Sequence, residues 1–249
     1  MRAAADIAER LGKNDEAVKW SRAAEALKVA WRDAFDAPEM SADRLNDRTA
    51  ISGLWPFSIA NERAFDKLMT QRWSKQSAQW DDPDYRPLWT YFSIAEAHQW
   101  LQLDRPDRAR LIVDRLWSKT GFPGLFTLWE GRGEENDFGL WRSFRGWVDP
   151  PTVTPHYWSA AEMLLLQIAM LAEVRGEKAD TLVIGSGVPP DWLSHSLHFA
   201  GLGTSAGRVS WSWDGREVMV TLPDDREIQV RLGSVFPSGT SVKIVREAR

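Results

Sequence analysis

Through the first 175 residues apolar side chains recur every three or four positions, the period of a helix packed on one face. Beyond about residue 205 they recur every second position, the period of a strand. The first pattern predicts helices over about 2–11 and 15–35, joined at Gly12-Lys13-Asn14, with Asn14 placed to cap the second. Further helices are expected over about 46–55, stopping at Pro56, and over about 61–74, 88–103, 105–118 and 155–174. The pair 88–103 and 105–118 meets at Asp104-Arg105-Pro106, where the proline suits a first helical turn.

The helices differ in kind. Segments 15–35 and 105–118 are amphipathic, with Ala109, Ile112 and Leu116 on one face and Asp107, Arg110 and Asp114 away from it. "LWTYFSIAEAHQWL" and "YWSAAEMLLLQIAMLA" are apolar nearly all round and must be covered on most sides. Alternation of enclosed and amphipathic helices suggests an inner and an outer layer. The connections 36–46, 75–87 and 119–154 are long, and each precedes a candidate inner helix, so they are expected to gather on one face. Loops longer than ~12 residues in compact domains are usually functional or disordered. After residue 180 the texture changes. "GRVSWSWDGREVMVTL" alternates Val209, Trp211 and Trp213 around an Asp214-Gly215 turn, a hairpin signal, and "REIQVRL" and "SVKIVRE" continue the alternation. The expected division is a helical portion over 1–178 and an antiparallel β-domain over 179–249.

Composition narrows the classes. A net charge of −4 over 249 residues gives no electrostatic reason to expect nucleic acid or an acidic membrane as partner. The N-terminal stretch lacks the apolar core of a signal peptide, and no apolar run reaches the ~18 residues of a membrane span. Without cysteine there is no disulfide framework and no thiolate ligand or nucleophile. No phosphate-cradling glycine loop, GxSxG elbow or HExxH helix occurs, and no metal or cofactor is expected. Tryptophan stands out, with 15 copies against 3 tyrosines, and serves cores and carbohydrate platforms equally well.

The candidate chemistry sits in the long connections. "LFTLWEGRGEENDFGLWRSFRGW" sets Glu130 between Trp129 and Gly131 and interleaves acids, arginines and tryptophans. Hydrolysis of a glycosidic bond needs two carboxyl groups, while aromatic faces dock a sugar ring and Arg, His or Asp read its hydroxyls. Glu130 is the first candidate, with pairing to Arg132 or Arg142 as its bland reading. Asp81, Asp82 and Asp84 form a second acidic group whose bland reading is helix capping. Glu134, Glu135 and Asp137 read as a solvated charge run. In "TPHYWSAAE", Thr154 can cap and His156 would sit at the helix mouth facing the loops. Glu162, roughly two turns deeper in an apolar helix, needs a partner and reads as a structural bridge. His195 and His198 have no acidic set at ligand spacing.

"GLWPFSIA", "GFPGLFTLWEG", "TPHYWSAAEMLLL", "GVPPDWL" and "GTSAGRVSWSW" together resemble the six-hairpin glycosidases, the broad group containing bacterial α-L-rhamnosidases. The resemblance implies a mainly α fold: part of an (α/α)6 toroid of helical hairpins, followed by a small antiparallel β-sandwich. It implies an inverting hydrolase of a carbohydrate substrate, with the glutamate of Trp129-Glu130 as general base. About seven helices are readable against the twelve of such a barrel, so the chain looks like a C-terminal half. An N-terminal half-barrel or a second copy is the implied partner. Glu130 and Asp82 are the catalytic candidates, and Trp80, Tyr85, Trp89, Trp129, Arg142, Trp147 and His156 the expected lining of the sugar pocket. A non-catalytic half-ring that binds carbohydrate or oligomerises is the rival reading. A polysaccharide lyase or sugar epimerase, hinted at by Tyr157 beside His156, is a third.

Overall fold

The structure, a computed structural model, describes residues 1–35, 50–56, 58–79, 88–117, 128, 130–132, 155–176, 180–223 and 227–247. The chain divides into two compact units, Met1–Ala78 and Gln79–Arg249.

In the first unit, α1 (Arg2–Arg10) and α2 (Asn14–Phe35) form a hairpin across Gly12, whose φ of 70° a glycine adopts without strain. An ion pair between Arg2 and Glu25 at 2.8 Å spans the two helices. The helix expected over about 46–55 is not formed over its described part, where Ala50 alone is helical and 51–56 is turn and bend. Gly53 explains the difference. Its backbone lies so close to the buried Phe65 ring that a Cβ there would come within 2.3 Å, and its carbonyl receives the Ile59 and Ala60 amides instead of a helical partner. Helix α3 (Glu62–Gln79) then starts under an Asn61 side chain that accepts the Ala64 amide, and runs five residues past the expected end at 74.

In the second unit, β1 (Leu88–Trp89) leads into α4 (Thr90–Gln102), which turns back through α5 (Pro106–Arg115). Asp104 makes that turn with a φ of 53°, a conformation Asp tolerates better than most residues. Strand β2 (Gly131–Arg132) pairs antiparallel with β1, and α6 (Tyr157–Leu171) packs on α4. From Thr90 to Leu101 nearly all of α4 is buried, as its all-round apolar sequence demands. Ring edges reinforce it: Trp100 is fully buried, donates to Glu96 at 3.2 Å and carries the Arg108 guanidinium 4.3 Å from its ring centroid.

Helix α6 was expected to run to about 174. It stops at Leu171 because Ala172 turns extended (φ −158°), and the chain continues without a loop as β3 (Ala172–Arg175). Strand β3 pairs antiparallel with β4 (Thr181–Ile184), which pairs parallel with β8 (Gln229–Leu232). A second sheet holds β5 (Leu197–Thr204), β6 (Gly207–Trp213) and β7 (Glu217–Pro223) in antiparallel order, with β9 (Ser241–Glu247) parallel to β7. The two sheets share one core: Ala172, Leu182 and Ile184 from the first meet Val209, Trp211, Trp213 and Val220 from the second, with Phe236 edge-on to both tryptophans.

The expectation of a mainly α toroid followed by a small antiparallel β-sandwich is therefore corrected. About 51% of the described residues are helical and 23% are strand, in two substantial sheets. Each sheet carries a parallel pair, and the first grows directly out of α6. The sheets are long because alternating residues of 172–247 have a shared core to fill, which a helical period would leave half exposed.

Candidate functional site

The starting residues of α4 and α6 meet the chain at Leu128 and at residues 130–132. The Leu128 carbonyl accepts the His156 amide at 3.0 Å, and the Glu130 carbonyl accepts both the amide (3.1 Å) and the hydroxyl (2.8 Å) of Thr90. These bonds hold Glu130 and His156 against the mouths of two packed helices.

His156 is the N-cap of α6, in extended conformation (φ −99°, ψ 100°). Thr154, the expected cap, lies outside the described residues. The ring of His156 enters a polar row. Its Nδ1 is 2.7 Å from the Ser159 hydroxyl, which is 3.0 Å from the Thr90 hydroxyl, which donates to the Glu130 carbonyl. Each of the three contacts needs one proton. The Thr90 proton goes to the carbonyl, and the direction of the other two contacts follows the His156 tautomer. Nδ1 also accepts the Ser159 amide at 3.4 Å, the side-chain cap of α6. Burial lowers the His156 pKa, against the opposing pull of the Glu130 charge, so the ring is neutral near pH 7.

Aromatic faces border this row. Trp158 is 71% exposed and Tyr157 76%, both in the first turn of α6. The indole of Trp158 lies 5.9 Å from the His156 ring and edge-on to Tyr91 at 6.1 Å. An exposed indole held between two rings is a flat apolar surface fixed in place.

Behind the row lies a buried acid. Glu162, on α6, sits with Oε1 3.5 Å from Nε2 of His98, on α4, and that oxygen makes no hydrogen bond among the described residues. Burial pushes the Glu162 carboxyl up to about 7 and the His98 imidazole down to about 3. Both groups are driven toward their uncharged forms. Burial also raises the Tyr91 phenol, helped by the charge of Glu162.

Of the residues singled out in the sequence, the structure brings together Glu130, half-buried, and His156, whose ring feels its charge. Trp89 contributes backbone pairing to Gly131, and its side chain is outside the described part. Asp82, Trp80, Tyr85, Trp129, Arg142 and Trp147 all lie outside the described residues, as do Asp81, Asp84, Glu134, Glu135 and Asp137. The expectation that the long connections gather on one face falls on the same segments. Thr90, Ser159, Tyr91 and Trp158 were not anticipated. The signal for two of them was present in "PHYWS": a helix starting after His156 puts residues 158 and 159 in its first turn beside the ring. Thr90 and Tyr91 needed the pairing of β1 with β2, 40 residues on, and carried no local signal.

Among solved structures the chain is similar to a GH78-family rhamnosidase of Bacillus sp. GL1, with 14% identity and a TM-score of 0.54. The match covers 98% of this chain and 26% of that one, so the chain spans about a quarter of its length. At that identity the likeness is one of fold. No protein-family model and no curated protein sequence matches the chain. Among the described residues no group of three or more His, Asp or Glu side chains is placed to hold a metal ion, and no helix is long and apolar enough to cross a membrane.

Proposed function

We propose that this chain is a glycoside hydrolase, or the part of one that carries the general base, and that Glu130 is that base. The observation that carries the reading is the meeting of the half-buried Glu130, the neutral ring of His156 and the exposed face of Trp158 at the mouths of α4 and α6. A fold similar to part of a GH78 rhamnosidase supports the same class.

In this reading a pyranose lies with its apolar face on Trp158. One hydroxyl hydrogen-bonds the ring of His156. The Glu130 carboxylate takes a proton from water as that water attacks the anomeric carbon from the face opposite the leaving oxygen. A second carboxyl group protonates that oxygen, and the configuration inverts. Asp82 is the sequence candidate for the acid.

The test compares Glu130→Gln with the parent chain on a panel of aryl glycosides that includes aryl rhamnosides. Removing a general base is expected to lower turnover by about 10²–10⁴-fold, with KM little changed. Unchanged turnover on an accepted substrate would remove Glu130 from the chemistry.

One observation favours a second reading, a non-catalytic module that pairs with another chain or copy. Helix α6 exposes Leu164 (58%) and Leu165 (47%) in line with Tyr157 and Trp158, an apolar flank on a helix that is apolar all round. Light scattering separates the two: a monodisperse monomer counts against the module, and a concentration-dependent dimer supports it.

A further inference from the structure

The other end of α6 borders a cavity that the proposed chemistry does not use. It encloses about 730 Å³ and is bounded by α5, the last turn of α6 and the segment 187–199. Small-molecule sites run from ~300 to ~1,000 Å³. Gln167, the first lining residue on α6, lies eleven positions beyond His156, roughly 16 Å at 1.5 Å per residue, so the two places are distinct.

Three features make it a built site. The first is how Trp192 is presented. It is 44% exposed at the rim, in a 3-10 turn (Pro190–Ser194) that follows Pro189. The Trp192 amide donates to the Pro189 carbonyl at 3.1 Å, and the core Trp213 indole donates to the Leu193 carbonyl at 3.0 Å. Two prolines and a bond to the core leave the turn little freedom, so the exposed indole is carried on a constrained backbone. Phe199, also in the lining, lies half-buried, its ring tilted by 37° at 4.7 Å from the core Trp211. The second feature is the floor. Gly187 donates to the Met170 carbonyl at 2.9 Å, and a Cβ there would meet the Met170 side chain at 2.4 Å, so helix and loop are packed as closely as the backbone allows.

The third feature is the polar lining. Arg110 reaches in with Nη1 3.4 Å from the buried Val188 carbonyl, and Asp114, Asp191 and Gln167 complete the set. A strongly charged ligand of either sign would face a like charge: Arg110 opposes a cation, and the two carboxylates oppose an anion. A neutral molecule with many hydroxyls can donate to the carboxylates and accept from the guanidinium and the amide at once. Its flat apolar face would lie on Trp192. That combination describes a pyranose.

We infer that the cavity between α5, the end of α6 and the Pro190–Ser194 turn is a second, non-catalytic sugar-binding site, with Trp192 as its stacking platform. The assignment rests on the cavity's own lining and stands or falls separately from the role of Glu130.

The experiment labels the full chain with 5-fluorotryptophan and assigns the Trp192 resonance by its loss in Trp192→Phe. Methyl α-L-rhamnopyranoside and the methyl pyranosides of glucose, galactose and xylose are then titrated, each in parent, Glu130→Gln and Arg110→Ala chains. The expected result is a saturable shift of the Trp192 resonance with at least one sugar. Its affinity should be unchanged by Glu130→Gln and weakened about tenfold by Arg110→Ala, the loss of one charged hydrogen-bond donor. A Trp192 resonance that stays fixed with all four sugars overturns the assignment. So does a shift whose affinity ignores Arg110→Ala, because the stacking would then be occurring outside the cavity. Failure of the Glu130 chemistry with the Trp192 shift intact would leave this site standing.

Discussion

Glu162 and Glu173 lie 11 positions apart on one continuous run, α6 into β3, and both are buried. Their surroundings are opposite. Glu173 receives Arg175 Nε at 2.7 Å, a second contact from the Arg175 guanidinium, Gln102 at 2.7 Å and the Ser186 hydroxyl at 3.0 Å. Arg175 continues to Asp104 at 2.6 Å, and Arg231 holds the other Asp104 oxygen at 3.1 Å. Burial pushes Glu173 upward while Arg175 and Ser186 pull the other way; burial works against the Arg175 charge too, but Glu173 and Asp104 outweigh it. Asp104 ends lowered, since Arg231 and Arg175 overcome its desolvation. This cluster ties the α4–α5 turn to β3 and β8, and every acceptor in it is filled. Among the described residues Glu162 has His98 at 3.5 Å and an oxygen without a hydrogen bond. A saturated buried acid stabilises a junction. An unsaturated one beside an aromatic cleft is kept for a different reason, and perturbed groups of this kind concentrate at functional sites.

The sharpest break of that comparison is Glu173→Ala. It removes the buried carboxyl partner of Arg175 and is expected to cost about 3–5 kcal/mol of folding stability, read as a lower midpoint in urea. A loss below about 1 kcal/mol would mean that the cluster is no more structural than the other acid.

Glu162→Gln is expected to behave differently, through pH. Folded Glu162 titrates near 7 against 4.5 for an unperturbed glutamate. The folded chain therefore holds the extra proton, and the stability this gives is fully present below about 4.5 and lost as the pH rises through about 7. His98 runs the other way: titrating near 3 against 6.5, it leaves stability intact above 6.5 and lost as the pH falls toward 3. Replacing Glu162 removes the first trend and keeps the second. Relative to the parent, the variant should gain stability between about pH 4.5 and 7, measured as the difference in unfolding midpoint across that range. A difference independent of pH would show that burial does not raise Glu162 in the folded chain.

The smallest expected effect is that of Trp158→Ala on folding, about 0.5 kcal/mol or less, because the side chain is 71% exposed. The same change should abolish sugar-dependent quenching of tryptophan fluorescence near the helix mouth. A large destabilisation with no change in binding would move Trp158 from the cleft to the core.

Local pattern was enough for five helices: the expected 2–11, 15–35, 88–103 and 105–118 fall within a few residues of α1, α2, α4 and α5, and α3 differs mainly at its end. The Asp214-Gly215 turn between β6 and β7 was equally readable. Two things were not. The switch from helix to strand at Ala172 is made by β4 and by the Arg175–Asp104 bond, since "MLAEVR" alone continues a helix well. The parallel partners of β4 and β7 come from 48 and 24 positions on, at Gln229 and Ser241, so alternation revealed the strands but not their neighbours. The site follows the same rule. Glu130 and His156 declared themselves by type and position, whereas the contrast between Glu162 and Glu173 depends on His98 and Gln102, contributed by α4 some 60–70 residues earlier.

The central claim, that the Glu130 carboxylate activates the attacking nucleophile, is tested most directly by azide rescue of Glu130→Ala on an aryl glycoside that the parent cleaves. The variant should be inactive alone and recover with azide, giving a glycosyl azide of inverted configuration. Parent-like hydrolysis without azide, or rescue that yields a retained product, would contradict the account.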